Sequence, residues 1–382
     1  MTRRFDVLVI GGGAAGVAAA LAAAGRGARA GLVRPGPGVT AMAGGGWTGP
    51  LPDPLAAAFA AAGLRFVPGP VRVPHPVGDV RVFDHAPASH ADAAPEDGAL
   101  VCGIEGLADY EPSVLAALWS DAAGVTLEAA EVRAGGPPRT GWSPVALAHA
   151  LDREAGPLAE SVAAAVSRAG ARRVILPAVL GIARSEAARA AIRDAAGVPV
   201  GEALGMPPSV PGWRLDRALL AVLDRAGVTV LSGRVTGRAA AEGRVRSVTV
   251  QGADGTAEEV EAGAFVLAAG KFAAGGIVAD GDGAREPALG CPVRLEYPGG
   301  NGRDVDPLAL THADRTLPQP LLRAGVARDE RARPVEATGD VAYLNVCVAG
   351  SIAAGVETAA LGLGHAAADG WRAGELAVEA AA

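Results

Sequence analysis

The sequence predicts an α/β fold built on a parallel sheet. Three observations carry that prediction. Residues 7–10, VLVI, are four apolar residues in a row, as a strand buried on both faces requires. Gly11, Gly13 and Gly16 follow in G-x-G-x-x-G spacing, and an alanine-rich helical run starts at once. Farther along, apolar strand segments alternate with helical runs, the pattern of parallel strands joined by crossover helices.

Taken in order, residues 5–33 form a strand–helix–strand unit. Gly11 makes the tight turn, Gly13 lets backbone approach a diphosphate, and Gly16 lets helix and strand pack closely. The helix N-terminus, at Ala14 and Ala15, offers free N–H groups and a positive dipole end to phosphate. The placement after a strand and before a helix turns a weak motif into strong evidence for a dinucleotide site. A ribose-binding Asp or Glu is expected about 20 residues after the glycines. Arg34 stands there instead. It accepts no hydrogen bond from ribose, so it either pairs with a phosphate or is a solvated strand-end charge.

The next segment, MAGGGWTG at 42–49, sets Gly45 and Gly46 beside a tryptophan. It reads as backbone lying on a flat ligand or, equally, as a mobile loop. Residues 69–98 read as a linker with short strands. Strands are expected at 99–104, 125–132, 173–177 and 198–204, with helices at 112–123, 144–169 and 185–196. An amphipathic helix at 213–227 leads to strands that turn at Gly243. FVLAAG at 265–270 is a second apolar strand ending in glycine, and YLNVCVAGS at 343–351 is a third. Gly362 and Gly364 precede a last helix running to about residue 376.

Composition narrows the function. The 382 residues carry 34 basic and 41 acidic side chains, a net charge of −7, and no basic run stands out, which argues against nucleic acid. Three dispersed cysteines form no C-x-x-C pair, so a reducing cytosol fits and no iron–sulfur site is expected. The six histidines lack metal-ligand spacing, so no metal is expected. Asp6 and the glycine motif interrupt any signal-peptide core. No uninterrupted apolar run of about 18 residues is present, so no direct membrane span is expected.

The order of elements predicts a Rossmann-like FAD/NAD(P)-binding flavoprotein fold with an inserted α/β cap domain. The expected partition is 1–70 and 206–382 for the two parts of the flavin-binding domain, and 71–205 for the cap. Hydride transfer to a flavin calls for a base and for positive charge near the ring. Lys271, the only lysine, follows the strand ending at Gly270 and reads as a cofactor-tuning cation or a surface lysine. Arg285 and Glu286 read as a phosphate site or a mutual ion pair, and Arg214 carries the same ambiguity. His365 is a candidate base or a helix-start cap. The expected cofactor contacts are Gly11, Gly13, Ala14, Ala15, Gly16, Arg34, Gly45, Gly46, Gly270, Gly350, Ser351 and Gly364. A full dinucleotide fold favours FAD; Arg34 keeps FMN open.

Several longer stretches carry a family resemblance: VCGIEGLADY at 101–110, ILPAVLGI at 175–182, MPPSVPGWRL at 206–215, FVLAAGKFAAGGIVADGDGAREPALG at 265–290 and PQPLLRAGVARDERARP at 318–334. Over nearly its whole length the chain resembles the B subunit family of anaerobic glycerol-3-phosphate dehydrogenase. The resemblance implies a flavoprotein subunit, usually described with FMN, that pairs with a catalytic flavin-binding A subunit. It implies a membrane-anchoring iron–sulfur subunit that passes electrons to quinone. It also implies oxidation of sn-glycerol 3-phosphate to dihydroxyacetone phosphate, in the cytoplasm or at the inner face of the cell membrane through those partners. Two departures stand out. The segment 46–76 is short, and the glycine-rich C-terminal run is thinned to GVETAALGLGHAAADG, with His365 introduced. A stand-alone FAD-dependent oxidoreductase acting on another small polar substrate, and a scaffold subunit that has lost its flavin, are the alternatives.

Overall fold

The computed structural model describes residues 3–135, 141–280, 283–294, 311–314, 317, 319–356 and 358–382. The chain divides into two compact units. Unit 1 comprises Met1–Thr40, Thr48–Leu55 and Leu219–Ala382; unit 2 comprises Ala41–Trp47 and Ala56–Ala218. The breaks expected after 70 and 205 fall elsewhere, because residues 41–47 and the hairpin after residue 65 bond and pack within unit 2.

Unit 1 is built on a seven-stranded sheet. Strand β1 (Arg3–Ile10) runs parallel to strand β2 (Ala30–Arg34) on one side and to the strand Ala257–Leu267 on the other. Thr229–Ser232 extends the sheet beyond β2, also in parallel. Val346–Val348 pairs in parallel with the last residues of Ala257–Leu267. The opposite edge is an antiparallel hairpin, Arg234–Ala241 and Arg244–Gln251. It turns where expected: Glu242 and Gly243 both take positive φ, 54° and 68°, as a two-residue hairpin turn requires.

Between β1 and β2 lies helix α1 (Ala14–Gly25), AAGVAAALAAAG. It has no polar face because it is covered by the sheet and by the last helix, Thr358–Ala381. Gly370 and Gly374, four residues apart on that last helix, lie on the carbonyl oxygens of Ala15 and Ala19; a Cβ at either glycine would overlap them. The last helix begins before the expected start, but Gly362 is non-helical (φ 65°, ψ 161°) and kinks it.

Unit 2 contains a four-stranded parallel sheet, ordered Leu127–Val132, Ala99–Ile104, Arg173–Leu176, Val200–Glu202. The strands and the helices Pro112–Ala123 and Ser185–Ala196 fall close to expectation. The expected helix 144–169 divides into Pro144–Arg153 and Gly156–Ala169. Glu154 turns extended (φ −151°), and Pro157, which lacks an N–H, stands in the first turn of the second helix. Residues 69–98 carry the expected short strands but are no linker. Phe66–Pro74 and Val80–Pro87 pair as an antiparallel hairpin with an irregularity between Pro68 and Val71, where proline cannot donate to the ladder. Trp119, Leu147, Leu158 and Ile175 fill the core.

The loop 41–47 is fixed within unit 2. Gly205 N–H donates to Gly44 O (2.9 Å), and Ser209 Oγ donates to Ala43 O. Trp47 exchanges main-chain hydrogen bonds with His85 (2.9 and 3.0 Å), and its fully buried ring meets Phe59 and Phe66 edge-on.

Candidate functional site

The carboxyl ends of the parallel strands of unit 1 converge, the place where open α/β sheets bind ligands. β1 ends at Ile10, whose carbonyl accepts from Ala268 N–H (2.8 Å), while Gly11 N–H donates to Val33 O (2.9 Å). Gly11 takes φ 118° and lies so close to Ala268 that a Cβ would overlap its carbonyl oxygen; likewise a Cβ on Gly16 would overlap Gly11 O. Close packing of the turn on the neighbouring strand and of helix on turn is what those two glycines are for. Gly350 (φ 74°) lies on Ala15, where a Cβ would be 2.6 Å from the alanine Cβ. Its N–H donates to Asp369 Oδ2 (2.7 Å), and Arg328 Nη1 donates to Asp369 (2.9 Å) and to Val348 O (2.7 Å). The last helix thus fixes the turn at Gly350. Gly270 (φ 74°) faces Ser351, 3.9 Å from Oγ to its Cβ position. The first crossover, the Gly270 end and the Gly350–Ser351 end are therefore neighbours.

The start of α1 suits an anion. Gly13 caps it with no side-chain bond, and no acidic residue stands in the first turn. A Cβ on Gly13 would meet only Thr40 Oγ1, at 3.1 Å, and that hydroxyl accepts Ala14 N–H (3.2 Å). These groups fit a diphosphate. The ribose position does not follow the usual pattern: Arg34 ends β2, is 5% exposed, and donates from Nε to Gly36 O (2.8 Å).

The other expected site residues lie as follows. Gly364 N–H donates to Thr48 O (2.8 Å), and exposed His365 packs its ring on Gly49. Lys271 is buried, and its ammonium donates to the carbonyls of Leu322 and Val356, so it ties segments together. Arg285 is exposed on the short hairpin strand Gly283–Arg285. Its neighbour Glu286 points inward and accepts the N–H groups of Ala288, Leu289 and Cys291 (2.6, 2.8 and 3.1 Å). Burial pushes its carboxyl upward against those three bonds. Gly45 and Gly46 belong to unit 2: a Cβ on Gly45 would strike His90, and one on Gly46 would strike the Phe83 ring.

Unit 2 holds a buried polar network that local sequence pattern does not reveal. Arg214 Nη1 and Nη2 grip the two oxygens of Glu202, the second at 2.9 Å, and its Nε donates to Gly181 O (2.6 Å). Glu202 is fully buried and also accepts Leu180 N–H (2.8 Å). Burial opposes its charge, but Arg214 outweighs burial and holds the carboxyl below its ordinary range. His90 Nδ1 lies 2.8 Å from Glu202 O, which fixes its proton on that nitrogen; burial pushes the ring's pKa down. The one sequence signal is Arg214 itself, within SVPGWRL at 209–215; Glu202 and His90 carry none.

The three cysteines are buried and unbridged, and burial raises their thiols, those of Cys102 and Cys347 to about 12. Among the described residues no cluster of three His, Cys, Asp or Glu could hold a metal ion, and no helix is long and apolar enough to cross a membrane.

The model of the family described as "FAD binding domain" matches residues 6–62 and 99–365. The probable B subunit of anaerobic glycerol-3-phosphate dehydrogenase from Halobacterium salinarum is 31% identical over 430 aligned positions, 98% of each chain. The B subunit of anaerobic glycerol-3-phosphate dehydrogenase from Yersinia enterocolitica is 31% identical over 307 positions, 76% of this chain and 68% of that one. The solved 3-ketosteroid delta1-dehydrogenase of Sterolibacterium denitrificans aligns at TM-score 0.42 and 13% identity over 99% of both chains. The family match makes FAD the cofactor of this fold. The chain is a flavin-dependent oxidoreductase that belongs to the FAD-binding domain family and, within it, to the B subunit family of anaerobic glycerol-3-phosphate dehydrogenase.

Proposed function

We propose that this chain is the B-type flavoprotein component of a quinone-linked glycerol-3-phosphate dehydrogenase. The observation that carries this reading is the match to a named B subunit along 98% of both chains. The site geometry supports it. The N–H groups at the start of α1 that Thr40 does not take would hold the diphosphate of FAD through charge and dipole. Gly270, Gly350 and Ser351 leave backbone for the ring to lie against. Asp369 holds the Gly350 turn in place through the N–H it accepts. When bound, FAD supplies hydride acceptance and onward electron transfer.

The protein's own groups divide the remaining work. The substrate, sn-glycerol 3-phosphate, loses its C2 hydrogen as hydride and its hydroxyl proton to a base, giving dihydroxyacetone phosphate. Lys271 is bound to two carbonyls and serves the fold. Exposed His365 is the candidate base, and exposed Arg285 is the candidate contact for the substrate phosphate. The A subunit and an iron–sulfur subunit complete the complex; the latter receives the electrons and holds this chain at the inner face of the cell membrane.

The test is purification of the chain alone and with its partner subunits. A yellow chain releasing about one FAD by mass spectrometry, with dye-linked oxidation of glycerol 3-phosphate in the assembled complex, is the expected result. A folded but colourless chain that takes up no flavin on titration defeats the reading.

A further inference from the structure

Arg34 occupies the end of β2, where dinucleotide sites of this build place a carboxylate that accepts the adenosine ribose hydroxyls. It is 5% exposed, so its position is set by packing. Its side chain crosses the phosphate turn: a Cβ on Gly12 would lie 2.7 Å from Arg34 Cδ and 3.1 Å from Nε. Gly12 sits between Gly11 and Gly13, and its lack of a side chain is what lets the arginine stem lie there. Nε donates to Gly36 O (2.8 Å), which pins the guanidinium at the strand end.

We propose that Arg34 determines nucleotide specificity at this site: it reads phosphate charge and withholds the acceptor that an adenosine ribose uses. The proposal rests on the flavin reading above. Its physical basis is simple. A guanidinium is a fixed cation with donors only, suited to phosphate and unable to accept from a hydroxyl. A terminal phosphate monoester carries a charge of about −1.5 to −2 at neutral pH, more than either single phosphate of a diester-linked dinucleotide. The arginine therefore favours a nucleotide ending in phosphate and contributes little to the adenosine half of FAD. FAD remains bound through its diphosphate and ring, with an adenosine that adds less affinity than in carboxylate-bearing sites.

The experiment titrates flavin-free full-length chain with FAD and with FMN, following flavin fluorescence, for the wild type and for Arg34→Gln, Arg34→Lys and Arg34→Glu. The wild type should bind FAD and FMN within about tenfold of each other. Arg34→Gln should weaken FMN about tenfold more than FAD, the scale of one charge-assisted hydrogen bond. Arg34→Lys should keep most of the FMN affinity, and Arg34→Glu should shift the ratio toward FAD by about tenfold or more. Because Arg34→Glu buries a new carboxylate and can unfold, Arg34→Gln carries the test alone if it does. Wild-type preference for FAD beyond about a hundredfold, or an Arg34→Gln variant that weakens both flavins equally, overturns the proposal and leaves the flavin site standing. A folded wild type that binds neither flavin overturns the flavin site itself.

Discussion

Replacing Arg214 by methionine tests the buried pair of unit 2. Glu202 has no exposed surface and takes three of its hydrogen bonds from Arg214 Nη1, Arg214 Nη2 and Leu180 N–H. Methionine fills similar volume and removes two of those bonds together with the compensating charge. The carboxylate then either stays ionised and unpaired or takes up a proton. At pH 7, protonating a group with an ordinary pKa of 4.5 costs about 3 kcal/mol, at about 1.4 kcal/mol per unit. That agrees with the ~3–5 kcal/mol lost when one partner of a buried pair is removed. The sign with pH follows. In the wild type the carboxyl is depressed, so the pair stabilises above the unfolded value and fails as pH falls through the folded one. In Arg214→Met the carboxyl is raised, so the deficit is largest near neutrality and shrinks by ~1.4 kcal/mol per unit as pH falls toward 5. Urea unfolding followed by tryptophan fluorescence reads this directly, since Trp47, Trp119, Trp142 and Trp213 all lie in unit 2. Arg214→Met/Glu202→Leu should recover most of the loss. A deficit below about 1 kcal/mol at pH 7, or one independent of pH between 5 and 8, refutes the argument.

Other outcomes follow from the same contacts. His90 is buried with a lowered pKa, so acidification below its unfolded value near 6.5 should cost unit 2 up to ~1.4 kcal/mol per pH unit. His90→Asn, which keeps a donor toward Glu202 O, should flatten the urea midpoint against pH over that range. Gly374→Val should lose ~1–3 kcal/mol by pressing on Ala19 O, with a lower thermal midpoint and weaker flavin uptake as α1 tilts. Lys271→Met should cost ~1–3 kcal/mol by leaving two carbonyls unpaired while the bound-flavin absorbance maximum stays in place; a large spectral shift would restore a cofactor-tuning role. Gly11→Ala should yield folded chain with little flavin, measured as absorbance ratio at 450 and 280 nm on the order of a tenth of wild type, because a Cβ there overlaps Ala268 O.

The sequence by itself determined the crossover and most strands, because apolar runs and glycine spacing encode local geometry that depends only on near neighbours. VLVI followed by Gly11, Gly13 and Gly16 could form little else. Family membership was also legible, through the motifs of residues 101–110, 206–215 and 265–290. Tertiary structure alone decided which distant residues meet. Lys271 read as a cofactor-tuning cation or a surface lysine; it is buried, and two carbonyls from segments 51 and 85 residues away claim its ammonium. Glu286 looked like an ion-pair partner for Arg285 and instead turned inward to three amides. Gly370 read as the end of a thinned glycine run; only the helix pair reveals it, together with Gly374, as the seat for the carbonyls of α1. Periodicity reports which face is buried, but the partner that buries it is chosen by the packing of the whole chain, and that information is spread over residues hundreds of positions apart.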